Sequence, residues 1–149
     1  MNKFELKALG LAGIVIIIFL FALLYNAYSR KINVPNCVPL SEQSTYFKNP
    51  GLKKVDDSTF DLYITAQMWA FIPSDVTVPK GSTVHIYITS KDVVHGFLID
   101  RKAVNLMVIP GAINTATVKF DVAGNYHMTC HEYCGTGHQN MEGNIKVTE

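Results

Sequence analysis

Residues 83–89, TVHIYIT, alternate Val84, Ile86 and Ile88 with His85, Tyr87 and Thr89. A period of two fits a strand with one buried face, and it excludes an amphipathic helix, whose apolar positions recur every three or four residues. Working outward, residues 60–72 (FDLYITAQMWAFI) carry aromatic and β-branched side chains. Further strand-like runs lie at 76–78, 94–99, 104–109, 115–121, 124–129 and 143–148. Pro79-Lys80-Gly81, Pro110-Gly111 and Ala123-Gly124-Asn125 punctuate them as turns. No helical spacing and no internal repeat follow residue 58. Short strands at regular intervals predict an all-β Greek-key barrel or sandwich over residues 58–149.

The N-terminal part is a different object. Ala8 to Tyr25 reads ALGLAGIVIIIFLFALLY, without a charge or amide. As a helix of eighteen residues rising ~1.5 Å each, it covers about 27 Å, close to the hydrocarbon thickness of a bilayer. A cleaved signal peptide is the rival reading. Its apolar region is normally shorter, and Asn26-Ala27-Tyr28-Ser29 is a poor cleavage site. Residues 1–30 are therefore expected to form one uncleaved transmembrane helix. Residues 31–57, with Pro35, Pro39, Pro50 and Gly51 and no clean periodicity, read as a connector. Lys3 and Lys7 on one side balance Arg30 and Lys31 on the other, so charge does not choose an orientation.

Composition narrows the function. The chain has 149 residues, 48% of them hydrophobic, with 13 basic against 12 acidic side chains. That balance gives no basic face for nucleic acid, and the apolar content excludes a disordered chain. Three cysteines are too few for a disulfide scaffold.

Two of those cysteines sit in residues 130–141, CHEYCGTGHQNM. Cys130, Cys134, His138 and Met141 collect soft donors in one loop, and Gly135 and Gly137 let the backbone fold tightly around a small object. His95, in VVHGF, lies between strand-like stretches that pairing can bring to the loop. A closed zinc site would use two Cys and two His and leave Met141 idle. A single-copper site would use one Cys, two His and an axial Met, leaving a thiolate over. Two thiolates bridging two copper ions, with one His each and with Met141 and a backbone carbonyl as weak contacts, employ every donor. Structural zinc remains the alternative at this point. A copper site so closed moves electrons and does not activate water.

The loop, with His95 upstream, resembles the dinuclear copper (CuA) loop of cytochrome c oxidase subunit II. The similarity runs from about Ile64 to Val147 and includes SKDVVHGFLI and VNLMVIPG. It implies a cupredoxin-like fold on the outer face of a prokaryotic inner membrane, with the N-terminus cytoplasmic and the domain periplasmic. A single span resembles the compact branch found with ba-type haem-copper oxidases. By position, His95, Cys130, Cys134, His138 and Met141 match the side-chain ligands, and Glu132 matches the residue that lends its carbonyl. In many members that acidic side chain also reaches a magnesium ion at the interface with subunit I.

The function so implied is electron entry. Cytochrome c reduces CuA, which passes electrons to the low-spin haem of subunit I. That subunit carries the haems and CuB, reduces oxygen to water and pumps protons. A small accessory membrane subunit is a further expected partner. The alternatives are the CuA subunit of a nitric oxide reductase and a membrane-tethered single-copper carrier.

Other residues have weaker claims. Gln67, Trp69 and Phe71 would share one strand face. The resemblance implies that aromatics in this region lie near the copper and help electrons enter. That makes Trp69 and Phe71 candidates for an electron-entry docking patch, with Trp69 as core the alternative. Glu5, ahead of the span, resembles an acid at a proton entrance into subunit I, beside its plainer reading as a solvated flank. His85, His127 and His131 read as hydrogen-bonded or surface histidines, Met128 as core, and Cys37 as a small buried residue or free thiol. From residue 31 onward there are 10 basic and 11 acidic side chains. A net of −1 predicts docking by apolar contact with modest salt dependence.

Overall fold

The alternation at 83–89 becomes strand β6 (Ser82–Ser90), in which Val84, Ile86 and Ile88 are fully buried. The computed structural model describes residues 2–30, 36–37 and 47–149. In it β6 pairs in parallel with β3 (Thr59–Gln67) and antiparallel with β9 (Ala112–Phe120). The sheet is completed by β1 (Asn36–Cys37) on β9, and by β2 (Gly51–Lys54) and β4 (Ala70–Ile72) on β3. The second sheet has the order β5 (Asp75–Pro79), β11 (Glu142–Thr148), β10 (Gly124–Thr129), β7 (His95–Ile99), β8 (Val104–Val108).

The core contains Leu62, Ile64, Ile86, Ile88 and Phe120 from the first sheet and Phe97, Ile99, Met128 and Ile145 from the second. Each of these side chains contributes about 1.5–3 kcal/mol by leaving water. The expected all-β sandwich is therefore present, built from two sheets.

Two expectations are corrected. Residues 60–72 are not one strand: the chain turns at Met68–Trp69 and returns as β4, pairing Gln67 with Ala70. The domain also begins before residue 58. Phe47 is buried and edge-on to Tyr63, and β2 pairs with β3, so part of the expected connector belongs to the sheet. That strand was hidden because its exposure does not alternate. Of the remaining connector, residues 31–35 and 38–46 lie outside the described residues, as does the Cys37 side chain.

The chain divides into two units, the N-terminal helix and the β domain. Helix α1 (Lys3–Arg30) is long and apolar enough to cross a membrane. Its Leu, Ile and Phe side chains are exposed on every face, the pattern of a helix whose solvent is lipid. A capping box starts it. The Asn2 side chain accepts the Phe4 N–H at 2.6 Å, and the Glu5 carboxylate accepts the Asn2 N–H at 2.7 Å.

Candidate metal centre

Strand β10 delivers the chain to Cys130 and β11 carries it away from Met141. Thr129 pairs with Glu142, and the Cys130 N–H donates to the Met141 carbonyl at 3.1 Å, so the loop is a hairpin closed at its mouth. Inside it, His138–Asn140 form one 3-10 turn, with the His138 N–H donating to Gly135 O at 3.1 Å. Gly135 has φ +116°, a region that favours glycine. Strand β7 pairs Leu98 with Thr129. Continued along the loop, that register sets His95, the first residue of β7, beside the cysteines.

The expected ligand atoms converge. Cys130 Sγ lies 3.8 Å from Cys134 Sγ, 4.0 Å from His95 Nδ1 and 3.3 Å from the Glu132 carbonyl oxygen. Cys134 Sγ lies 3.6 Å from His138 Nδ1 and 3.7 Å from Met141 Sδ. One ligand atom from each of His95, Cys130 and Cys134 falls within 4.8 Å of the others. His95, Cys134 and Met141 are buried, with His95 at 0% exposure.

Two sulfurs 3.8 Å apart can both reach one ion at a metal–sulfur length of about 2.3 Å. Thioether and imidazoles stand around them. The donor set fits a soft metal, and copper above others.

Burial pushes the Cys134 thiol up to about 11, and the neighbouring Cys130 sulfur adds to the effect. Partial burial works to raise the Asp92 carboxyl. Hydrogen bonds from His95 and from the Met68 and Val93 N–H groups outweigh it and hold Asp92 below the usual carboxylate value.

Asp92 and the hydrogen bonds around the ligands escaped sequence reasoning. Asp92 Oδ1 stands 2.8 Å from His95 Nε2, and its Oδ2 accepts the Met68 N–H at 2.7 Å. The Trp69 indole N–H donates to the Cys134 carbonyl at 3.1 Å. Its ring lies so close over Gly135 and Gly137 that a Cβ on Gly137 would stand 2.7 Å from Trp69 Cγ. The His131 ring covers Gly96 in the same way. The sequence held one signal for Asp92, a carboxylate three residues before the ligand in SKDVVHGF.

The remaining candidates fall elsewhere. Phe71 does not share a surface with Trp69: it is 1% exposed and edge-on to Phe97, because the turn at Met68–Trp69 reverses the strand. Trp69 itself is 42% exposed. The Glu5 carboxylate is engaged in the helix cap. His85 Nδ1 is 3.0 Å from Thr117 Oγ1, His127 is exposed, and Met128 is fully buried. The Glu132 side chain reaches solvent, with Oε1 3.7 Å from His131 Nδ1.

The chain is similar to known proteins in sequence and in fold. The family model for the cytochrome c oxidase subunit II periplasmic domain matches residues 54–148. A cytochrome c oxidase subunit 2 of Thermus thermophilus is 39% identical over 90 residues, which cover 60% of this chain and 67% of that relative. A chain from a cryo-EM structure of a heme-copper terminal oxidase dimer superposes with a TM-score of 0.82 at 38% identity, covering 98% of this chain and 100% of that one. The periplasmic domain of subunit II of the Bradyrhizobium japonicum cytochrome oxidase, at 22% identity, shares the cupredoxin-like fold with a TM-score of 0.55, over 64% of this chain and 87% of that one. From the paired cysteines in their closed hairpin to the buried histidine beside them, the chain belongs to the cytochrome c oxidase subunit II family and carries its CuA-type domain.

Proposed function

We propose that this chain is the electron-entry subunit of a haem-copper oxidase, taking electrons from cytochrome c and passing them to the low-spin haem of subunit I. There oxygen is reduced to water and protons are pumped. The convergence of four further donors around two cysteine sulfurs 3.8 Å apart carries the reading. His95, Cys130, Cys134, His138, Met141 and the Glu132 carbonyl would hold a dinuclear copper centre, which when bound supplies a one-electron carrier shared between two ions.

The chain's own residues supply the rest. Cys130 and Cys134 would hold the metal as thiolates, and His95 and His138 present Nδ1 toward the sulfurs. Buried His95, Cys134 and Met141 keep water from the sulfurs. The closed mouth and the Trp69 seat hold the donors in one arrangement, so little has to move when the charge changes.

A donor protein would meet an apolar surface. Met68, Trp69, Val93, Val94, Met107 and Tyr133 are exposed on the turns and strands around the ligands. With a near-zero net charge, apolar contact governs docking and salt has a modest effect. Electron arrival from outside the cell puts the domain on the periplasmic side and the N-terminus in the cytoplasm.

The test is a metal count and electron paramagnetic resonance on the full chain in detergent after copper loading. Two coppers per chain and a hyperfine pattern from one electron shared over both are expected. A single localised copper would move the reading to a tethered copper carrier, and a colourless zinc protein would end it. Mixing with reduced cytochrome c then tests the donor: Trp69→Ala should slow reduction at least tenfold.

A further inference from the structure

Asp92 lies in the turn between β6 and β7 and is surrounded by donors. Its Oδ2 accepts the Met68 N–H at 2.7 Å, and its Oδ1 accepts the Val93 N–H at 2.7 Å. His95 Nε2 stands 2.8 Å from the same Oδ1. Backbone N–H groups can only donate, so both carboxylate oxygens are fixed as acceptors, and an ionised carboxylate has nothing to give. The short contact to Nε2 therefore requires the imidazole to donate there. A neutral ring with its proton on Nε2 has its lone pair on Nδ1, and Nδ1 is the atom facing Cys130 Sγ, 4.0 Å away. The ring is fully buried, so no water competes for either nitrogen.

We infer that Asp92 is the positioning residue that fixes His95 in the Nε2–H tautomer, so that Nδ1 is the metal-binding atom before any metal arrives. The same carboxylate ties in the hairpin turn, because Met68 precedes Trp69, whose indole bonds the Cys134 carbonyl. Asp92 thus joins the strand that carries one ligand to the loop that carries the others without touching the metal. A carboxylate behind a ligating imidazole also makes the ring a stronger donor, and losing such a partner typically weakens metal binding 10- to 100-fold. A stronger donor favours the oxidised metal, so removing Asp92 should raise the reduction potential.

This role rests on the copper reading of the site for its consequences, and the experiment separates the two. In the metal-free full chain, labelled with 15N at histidine and held in detergent, long-range proton–nitrogen correlation reads the His95 tautomer. His95→Gln identifies the signal. Wild type should show a protonated Nε2 and an unprotonated Nδ1. Asp92→Asn places an amide NH2 against a donor on one side or the other. It should bind copper 10- to 100-fold more weakly and show a higher potential. A residue that only shapes the turn would lower the melting temperature and leave the tautomer and the potential alone.

A protonated Nδ1 in wild type overturns the assignment without any variant. An Asn variant equal to wild type in affinity and potential overturns it while the two-copper signal stands. Wild type that takes up no copper would instead defeat the proposed function and leave the tautomer result in force.

Discussion

The two halves of the metal centre are held by different means. His95 sits on a paired strand, fully buried, with an ionised carboxylate behind it. The loop from Cys130 to Met141 has little regular structure beyond one 3-10 turn. It is held by its closed mouth, by glycines that admit close neighbours, and by an indole lying across it. One half is fixed by a polar bond to a single side chain, the other by shape. Substitutions should therefore act differently on the two: sharply and chemically on the strand side, sterically on the loop side.

The largest effect should come from a sulfur at the heart of the loop half. Cys134→Ser removes one of the two sulfurs, so the loaded chain should hold at most one copper and lose the shared hyperfine pattern. A variant that keeps two coppers would mean Cys134 does not bridge.

Next is pH. The Cys134 thiol, pushed up to about 11 by burial, is protonated near neutrality in the metal-free chain, and a metal must displace that proton. Binding therefore weakens as pH falls and tightens as it rises. The apparent affinity should change about tenfold per pH unit for each proton displaced. A competition titration between pH 6 and 8 reads this directly. A flat profile would show that the thiolates already exist without metal.

Steric tests of the loop half are smaller and should rank in order. At Gly143, just past the loop, an added Cβ meets the Ser74 carbonyl oxygen and stands 2.7 Å from Met128 Cε. Ser74 O also accepts the Asn144 N–H, so backbone that pins β11 must shift. Gly143→Ala should cost about 1–3 kcal/mol in denaturant melts. At Gly137 the obstacle is the Trp69 ring, which is partly exposed and can swing away. Gly137→Ala should cost less, while the tryptophan emission shifts to the red as the indole leaves its seat. If Gly137→Ala proves the more costly, Trp69 anchors the loop more firmly than its exposure suggests.

Much of this was legible in the sequence because it is local. The strand alternation of β6 and the Cys130–Met141 spacing each fit within a dozen residues, so one pass along the chain finds them. His95 was reached by counting donors and by resemblance, since the strand pairing that brings it to the loop is not written near it. The turn at Met68–Trp69 was missed for a physical reason. No glycine or proline marks it, and the bonds that hold it, Met68 to Asp92 and Trp69 to Cys134, come from segments 24 and 65 residues away. Phe71 followed that error into a surface role, whereas the reversal turns it into the core.

Strand β11, which follows the last ligand, is paired on both sides: antiparallel with β10 and in parallel with β5, 69 residues earlier at Asn144 and Asp75. Such a long-range pairing forms late in folding, because the chain between must first be brought together. The mouth of the ligand loop is closed by the local hairpin of β10 and β11, and the long-range pairing anchors that hairpin in the sheet. A metal taken up by the folded domain would enter a pocket whose donors already converge. Until then a thiol held protonated by burial is a poor nucleophile, so the same burial that later shields the metal protects the waiting cysteine during biogenesis.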